Sequence, residues 1–303
     1  MDGRVFAVRY FHPAIDMRAR PPRLPGYVLG RRLGGGPTCD VYSAVDKDCG
    51  LGWAVKVLRE EAAGDPTNIQ LFRREAHVGL TVRQPSLVRV VRARTRGRQP
   101  FFSVMERVPG RSLRRVLRPR GWLSASLVGT AARQLAGALA AIHAAGFVHG
   151  DVKPDNVHVA PGRRATLLDL GFTHRPGEIV ELVGSGYVLG TANYVAPELC
   201  ATPGEDGPAA DIFSLGVTLF ELLTGKLPYP DGRVSEMMQC HRDQQPDSLW
   251  AWQGGWPLGL ARLVDRMMVR EPERRPTADE VGRELAVLFP SLRRNVKELR
   301  RSA

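Results

Sequence analysis

The stretch Phe-Val-His-Gly-Asp-Val-Lys-Pro-Asp-Asn, residues 147–156, decides the fold and carries most of the predicted chemistry. Asp151 and Asn156 are five positions apart, with Lys153 between them and His149 before them. A carboxylate such as that of Asp151 can orient a substrate hydroxyl and accept its proton. The amide oxygen of Asn156 is a hard ligand suited to Mg²⁺, and Lys153 can neutralise charge on a transferring phosphoryl group. These residue types at this spacing could therefore receive a hydroxyl proton and hold a metal, although an HxD pattern taken alone also occurs by chance.

A second acidic group follows at the end of an apolar run. The segment RRATLLDLGF, residues 163–172, predicts a short strand that ends in Asp169, with Gly171 just beyond it. A carboxylate at the end of a strand, next to a flexible glycine, can be aimed at Mg²⁺ that bridges nucleotide phosphates. Asp169 is therefore the second predicted metal ligand.

A glycine-rich turn and a lysine precede these elements. In LGGGPTCDVY, residues 33–42, glycines would let backbone N–H groups approach a phosphate closely. Lys56, on the following strand, could bind the α- and β-phosphates, and Glu75, on the next helix, could fix it by an ion pair. Taken singly, these features also fit a hairpin turn, a solvated strand lysine and an exposed carboxylate.

The chain changes character at residues 106–110. Before this hinge, residues 26–107 alternate β-prone runs with glycine turns and contain one helical run at 68–82, which predicts an antiparallel sheet with one main helix. After it, residues 111–290 are dominated by helical segments. Both ends are basic: residues 1–25 contain prolines and are predicted to form an extended lead-in, and residues 291–303 are predicted to form a solvated tail.

Composition excludes several classes of protein. The 303 residues are 43% hydrophobic and 24% charged, which is typical of globular chains. No apolar run approaches the roughly 20 residues of a membrane helix; residues 212–223 are shorter and contain Glu221, which predicts a buried core helix. The formal net charge is +12, but the arginines are scattered without an aromatic-lined basic stripe, so no specific nucleic-acid partner is expected.

Cysteine usage and the N-terminus give two further expectations. The four cysteines have no C-x-x-C spacing, so neither a zinc site nor a disulfide framework is predicted. The first residues lack the basic-then-apolar order of a secretory signal, so a cytoplasmic location is expected.

Taken in order, the motifs resemble those of eukaryotic-type protein Ser/Thr kinases, similar to the bacterial members, over residues 26–290. Further matching segments are GTANYVAPE, DIFSLG and REPERRPT, at residues 190–198, 211–216 and 270–277. The resemblance implies an α+β, bilobal kinase fold with a β-sheet N-terminal lobe and a mostly helical C-terminal lobe. It also implies ATP and Mg²⁺, with Mn²⁺ as an alternative ion, and protein substrates with Ser or Thr acceptors, with the chain itself as a candidate substrate.

The resemblance also assigns roles to residues. It implies that Thr191 bridges Asp151 and Lys153, and that Arg275 pairs with Glu198. Met105 is expected to guard the pocket behind adenine, whose main-chain partners are expected on the hinge. The nucleotide-binding residues implied are Leu33, Gly34, Gly36, Val41, Ala54, Lys56, Met105, Glu106 and Val108.

Three residues depart from the family pattern: Cys39 replaces the third glycine, Leu170 replaces Phe, and Gly150 replaces the Arg before Asp151. In kinases with that Arg, its cation orders a phosphorylated activation segment. Gly150 therefore predicts an enzyme that does not need this switch.

Two alternatives stay open. A small-molecule phosphotransferase of related fold also carries His-Gly-Asp, and a catalytically weak, ATP-binding scaffold would fit the loss of a loop glycine at Cys39. Lys153 and the closing motifs favour the protein kinase. Candidate autophosphorylation sites are the segment hydroxyls of Thr173, Ser185, Tyr187 and Thr191.

Overall fold

The computed structural model describes residues 21–162, 164–178, 191–201, 206–229, 232, 234–252 and 254–290. The described backbone clusters into two compact units. The first contains residues 21–83, 88–108 and 170–173, and the second contains 84–87, 109–169 and the described residues from 174 onward. The predicted tail at 291–303 and most of the predicted lead-in lie outside the described residues.

The first unit is built on a five-stranded antiparallel sheet with strand order β1-β2-β3-β5-β4. Its strands are β1 (Tyr27–Gly35), β2 (Cys39–Asp46), β3 (Gly52–Leu58), β4 (Val90–Arg94) and β5 (Phe102–Met105). The one long helix of its described part, α1 (Pro66–Thr81), starts where the Asp65 side chain accepts the Thr67 N–H at 2.8 Å. The predicted sheet with one main helix is confirmed.

Strand register gives the two faces of this sheet different roles. Val55, Val57 and Val104 point into an apolar cluster on one face. Lys56 pairs with Val41 on β2 and with Ser103 on β5, and Ala54 pairs with Met105. Because side chains alternate along a strand and paired residues share a face, these residues lie together on the opposite face. That face therefore carries four of the predicted nucleotide-binding residues: Val41, Ala54, Lys56 and Met105.

The second unit is mostly helical. Its helices are α2 (Leu113–Leu117), α3 (Ala125–Ala144), α4 (Pro197–Ala201), α5 (Pro208–Thr224), α6 (Val234–Asp243), α7 (Leu258–Met267) and α8 (Ala278–Leu288). A small antiparallel sheet joins β6 (Arg111–Ser112), β7 (Val157–Val159) and β8 (Ala165–Leu167) in that order. Phe213 and Phe220 of α5 are fully buried, which confirms the core helix predicted for residues 212–223.

Helix α3 has the length and hydropathy of a membrane-spanning helix. However, 56% of its most apolar window is buried within the protein, and Leu135, Leu139 and Ile142 are fully buried. Burial of this kind is typical of a core helix, so α3 is weak support for a membrane span.

His241, a buried histidine on α6, makes the stability of the fold depend on pH. Its Nδ1 donates to the Val195 carbonyl oxygen at 2.7 Å, and the ring stacks on Tyr229 at a centroid distance of 4.1 Å. Burial lowers the pKa of His241 to about 4, although the hydrogen bond to Val195 opposes this effect. Between pH 6.5 and 4 the unfolded chain therefore binds a proton that the folded chain excludes, and stability falls as the pH falls through this window.

We expect the change from pH 7.5 to pH 5 to cost about 2 kcal/mol of unfolding free energy through His241. His241→Gln keeps a donor for Val195 without titrating, so its urea unfolding should lose this part of the pH dependence. The control is His77→Gln, at an exposed position on α1, which should retain the wild-type slope. Parallel slopes for wild type and His241→Gln would contradict the assignment.

Candidate active site

A buried ion pair lies on the first unit. The Lys56 Nζ is 2.7 Å from Glu75 Oε1 and 2.9 Å from Oε2, and the two side chains are 13% and 8% exposed. Glu75 belongs to the buried face of α1, although most carboxylates on helices face solvent. The pair fixes the lysine head group on the sheet face that also carries Val41 and Ala54.

The glycine-rich turn between β1 and β2 is closed by the Gly36 N–H, which donates to the Cys39 carbonyl at 2.8 Å. A Cβ added at Gly34 or Gly36 would meet nothing within 4 Å, so both positions border open space. The Cys39 side chain is 7% exposed and packs in an apolar cluster with Leu58 and Phe72. Cysteine at the third glycine position therefore fills the core and leaves the turn's backbone open.

Sequence reasoning missed a charged cluster that supports this turn. Asp40 accepts hydrogen bonds from Arg32 Nε at 2.7 Å and from Arg59 Nε and Nη2 at 3.0 and 2.9 Å. Burial alone would raise the pKa of Asp40, but the Arg59 and Arg32 hydrogen bonds outweigh it and hold this pKa below its usual value. The carboxylate thus ties β1 and β2 to the residue after β3. The only sign of this cluster in the sequence is the pair of opposite charges, Arg32 and Asp40, on either side of the turn.

The loop predicted to be catalytic, residues 147–156, lies in the second unit and centres on Asp151, which is 4% exposed. Its Oδ2 lies 2.7 Å from Lys153 Nζ and accepts the Asn156 Nδ2–H at 2.7 Å. Its Oδ1 accepts the Thr191 hydroxyl at 2.9 Å, and Lys153 Nζ donates to Thr191 Oγ1 at 2.5 Å. The structure therefore places four of the predicted site residues in one hydrogen-bonded cluster, including the bridge that the resemblance assigned to Thr191.

The metal-ligand prediction rests on two neighbouring residues of the same unit. Both Asn156 Nδ2–H groups are used, on the Asp151 carbonyl and carboxylate, which leaves its Oδ1 as the atom suited to a cation. The Leu168 N–H donates to the Asn156 carbonyl at 2.7 Å, so the residue just before Asp169 is bonded to the backbone of Asn156. The residues fit Mg²⁺, since this ion takes few protein ligands when nucleotide phosphates supply the others.

The structure corrects where the strand before Asp169 ends. The strand expected to end at this residue is β8, which ends two residues earlier, at Leu167. Asp169 has φ +58°, the only positive φ of a non-glycine residue in the described part of the chain. An aspartate in this left-handed region costs about 1–3 kcal/mol, so the conformation persists only because the surrounding structure holds it. The carboxylate is aimed by this backbone conformation rather than by strand geometry.

Asp211, in the first turn of α5, binds the backbone of the predicted catalytic loop. It is 1% exposed and accepts three hydrogen bonds, from His143 Nε2 at 2.8 Å, His149 N–H at 2.8 Å and Gly150 N–H at 2.9 Å. Burial opposes its ionisation, but these contacts lower its pKa below the usual value. Gly150 has φ +79°, where a glycine is unstrained. The sequence matched DIFSLG but did not assign this role to Asp211.

A second network missed by the sequence connects α2, α5 and the segment before α4. The Tyr194 hydroxyl donates to Glu221 Oε2 at 2.6 Å and accepts from Arg114 Nη2 at 2.5 Å. Arg114 also pairs with Glu221, and with Asp155 at 3.1 Å. Burial and the neighbouring Glu221 carboxylate raise the pKa of Tyr194, so its hydroxyl stays protonated. The network holds the segment that begins at Thr191.

Of the remaining predicted residues, Leu33 lies on β1 and is 39% exposed, and the others lie at the end of the stretch 88–108. Met105 ends β5, and the Glu106 N–H donates to the Arg89 carbonyl at 3.0 Å, so its own carbonyl is the main-chain group suited to a ligand there. Val108 is the last residue of the stretch 88–108. Among the candidate phosphorylation sites, Thr173 is 1% exposed, which does not favour modification. Ser185 and Tyr187 lie outside the described residues.

The family model of the protein kinase domain matches residues 27–285. Serine/threonine-protein kinase PknL of Mycobacterium tuberculosis is 32% identical over 267 residues, which are 88% of this chain and 66% of PknL. PknA of the same species is 34% identical over 84% of this chain and 60% of its own length. PkaA of Streptomyces coelicolor is 31% identical over 86% of this chain and 50% of its length. The chain spans about half to two thirds of these relatives.

Proposed function

The chain belongs to the protein kinase domain family, and we propose that it transfers the γ-phosphoryl group of ATP to Ser or Thr hydroxyls of proteins. The observation that carries the proposal is the hydrogen-bonded cluster of Asp151, Lys153, Asn156 and Thr191. It combines an acceptor for a hydroxyl proton, a cation for the phosphoryl oxygens and an amide oxygen for a metal, as phosphoryl transfer by kinases requires. The relatives PknL, PknA and PkaA are named serine/threonine-protein kinases, which supports the same class of substrate.

In the proposed reaction each side chain has one task. Asp151 orients the acceptor hydroxyl and accepts its proton, and Lys153 stabilises negative charge on the transferring group. Lys56, held by Glu75, binds the α- and β-phosphates. Mg²⁺, when held by Asn156 and Asp169, would neutralise phosphate charge. Catalysis therefore consists of positioning and charge stabilisation, with no covalent intermediate on the protein.

We do not expect this protein to be regulated by phosphorylation of its activation segment. Gly150 offers no cation to a phosphate, and its N–H is already bonded to Asp211. We therefore expect activity without phosphorylation of the chain. The acceptor class is assigned to Ser and Thr because the Lys153–Thr191 pair resembles that of Ser/Thr kinases. The cytoplasmic location stays a prediction.

The test is incubation of the purified protein with γ-labelled ATP and Mg²⁺, with and without a generic basic protein. We expect label on Ser or Thr of the basic protein, and no label after chelation of the metal. Label found only on small-molecule acceptors would replace the proposal by a small-molecule phosphotransferase. ATP binding without transfer to any acceptor would favour a scaffold.

A further inference from the structure

A buried histidine and aspartate form a second polar pair in the second unit, outside the cluster around Asp151. His174 Nε2 lies 2.6 Å from Asp206 Oδ2, and the two side chains are 2% and 0% exposed. The Gly177 N–H donates to Asp206 Oδ1 at 3.0 Å. Burial would raise the pKa of Asp206, but the bonds from His174 and Gly177 lower it. The carboxylate is therefore ionised, and His174 donates.

The pair is connected to the catalytic loop on both sides. The His174 N–H donates to the Val148 carbonyl at 3.1 Å, and the Val148 N–H donates to the His174 carbonyl at 2.8 Å. Val148 directly precedes His149, Gly150 and Asp151. On the other side, Asp206 lies five residues before Asp211, whose carboxylate binds the N–H groups of His149 and Gly150.

A small cavity of about 20 Å³ lies at this junction, and its wall includes Gly150, Asp151, His174, Thr191 and Asp206. Such a volume is room for about one water molecule. His174 and Asp206 thus line the same cavity as Gly150, and as Asp151 and Thr191 of the proposed catalytic cluster.

We propose that His174 and Asp206 are positioning residues, which hold the loop His149–Asp151 in its working geometry and replace a phosphorylation-dependent contact at position 150. The inference rests on the proposed function. A bond between an ionised carboxylate and a buried N–H is short and directional, so it persists without any phosphate. It fixes the strand-like bridge at Val148 and the start of α5 relative to each other.

Stability alone does not explain such a pair. Replacing both members of a buried hydrogen-bonded pair by apolar groups of the same shape is often nearly neutral for stability. The orientation of the pair, in contrast, depends on one donor and one acceptor at fixed positions. A positioning role therefore predicts that an apolar replacement keeps the fold and loses the geometry of the loop.

The test compares four dephosphorylated proteins: wild type, Asp206→Asn, the double variant His174→Leu/Asp206→Leu, and Glu284→Gln. Glu284 is the control because its ion pair with Arg266 lies on the exposed surface of the same unit. Steady-state kinetics separate kcat from KM for ATP, hydrogen exchange reports the amides of His149 and Gly150, and thermal unfolding reports stability.

We expect Asp206→Asn and the double variant to lower kcat by about ten- to hundredfold, as a small misplacement of catalytic groups does, with an unchanged KM for ATP. The His149 and Gly150 amides should exchange faster, and the double variant should keep its Tm. Glu284→Gln should match wild type in all three measurements.

Wild-type exchange of these two amides in Asp206→Asn would overturn the inference, whatever the activity. So would a fall in kcat that only follows the fraction unfolded, or a wild type that loses activity on dephosphorylation. Absence of transfer from wild type would instead contradict the proposed function, and the exchange data would still decide the role of the pair.

Discussion

Replacing Asp151 by Asn is expected to lower kcat for protein phosphorylation by a factor of about 10² to 10⁴, because the loop loses its proton acceptor. The amide fits the same space. Its oxygen can accept from Lys153 and Asn156, and its NH₂ group can donate to the Thr191 hydroxyl, which can rotate to accept. The fold and the affinity for ATP should therefore be retained, and only the chemical step should fail. Transfer of labelled phosphate to a protein measures the chemical step, and calorimetry of ATP binding measures the affinity.

Asp155→Asn is the matched control. It lies in the same loop and changes the same functional group, but the side chain is 48% exposed and contacts Arg114. Its ion pair is of the exposed type that contributes little, so kcat should change less than about twofold. Equal losses for the two variants would mean that the loop responds to its total charge and not to a proton acceptor at Asp151.

Much of the site could be predicted because its residues are close in sequence or stand in a known order. Asp151, Lys153 and Asn156 fall within six consecutive positions, and a short loop brings such residues together whatever surrounds it. The Lys56–Glu75 pair, 19 residues apart, was predictable from a strand followed by a helix. The roles of these residues in catalysis stay predictions until transfer is measured.

Two of the missed contacts join residues that are distant in sequence and have no motif of their own. His174 and Asp206 are 32 residues apart, and Arg114 and Glu221 are 107 apart. In the sequence His174, Asp206 and Arg114 look like solvated polar side chains, which is the usual state of such residues, and nothing marks a partner for Glu221. Only packing shows that they are buried and that each has a partner. The left-handed backbone of Asp169 was missed for a similar reason, since a strand pattern does not reveal where the strand ends.

The most damaging change to stability is expected at a pair that the resemblance did predict. Arg275 binds Glu198 through two parallel bonds, Nη1 to Oε1 at 2.7 Å and Nη2 to Oε2 at 2.8 Å, and the side chains are 0% and 7% exposed. The guanidinium also donates to the carbonyls of Val269, Ala209 and Arg270. Arg275→Met leaves the Glu198 carboxylate buried without its cation. We expect a loss of about 3–5 kcal/mol in the free energy of unfolding, measured by urea denaturation.

The neighbouring Arg274 separates this effect from a general loss of positive charge. Its side chain is 69% exposed and lies 3.5 Å from Glu271, so Arg274→Met should change stability by less than about 0.5 kcal/mol. The double variant Glu198→Met/Arg275→Met removes both charges and should recover part of the loss, because the cost comes from the unpaired carboxylate rather than from the missing attraction. A double variant no more stable than Arg275→Met would place the cost in the three backbone carbonyls that the guanidinium satisfies. In that case Arg275 would stabilise the second unit mainly as a hydrogen-bond donor, and the carboxylate would be the minor partner.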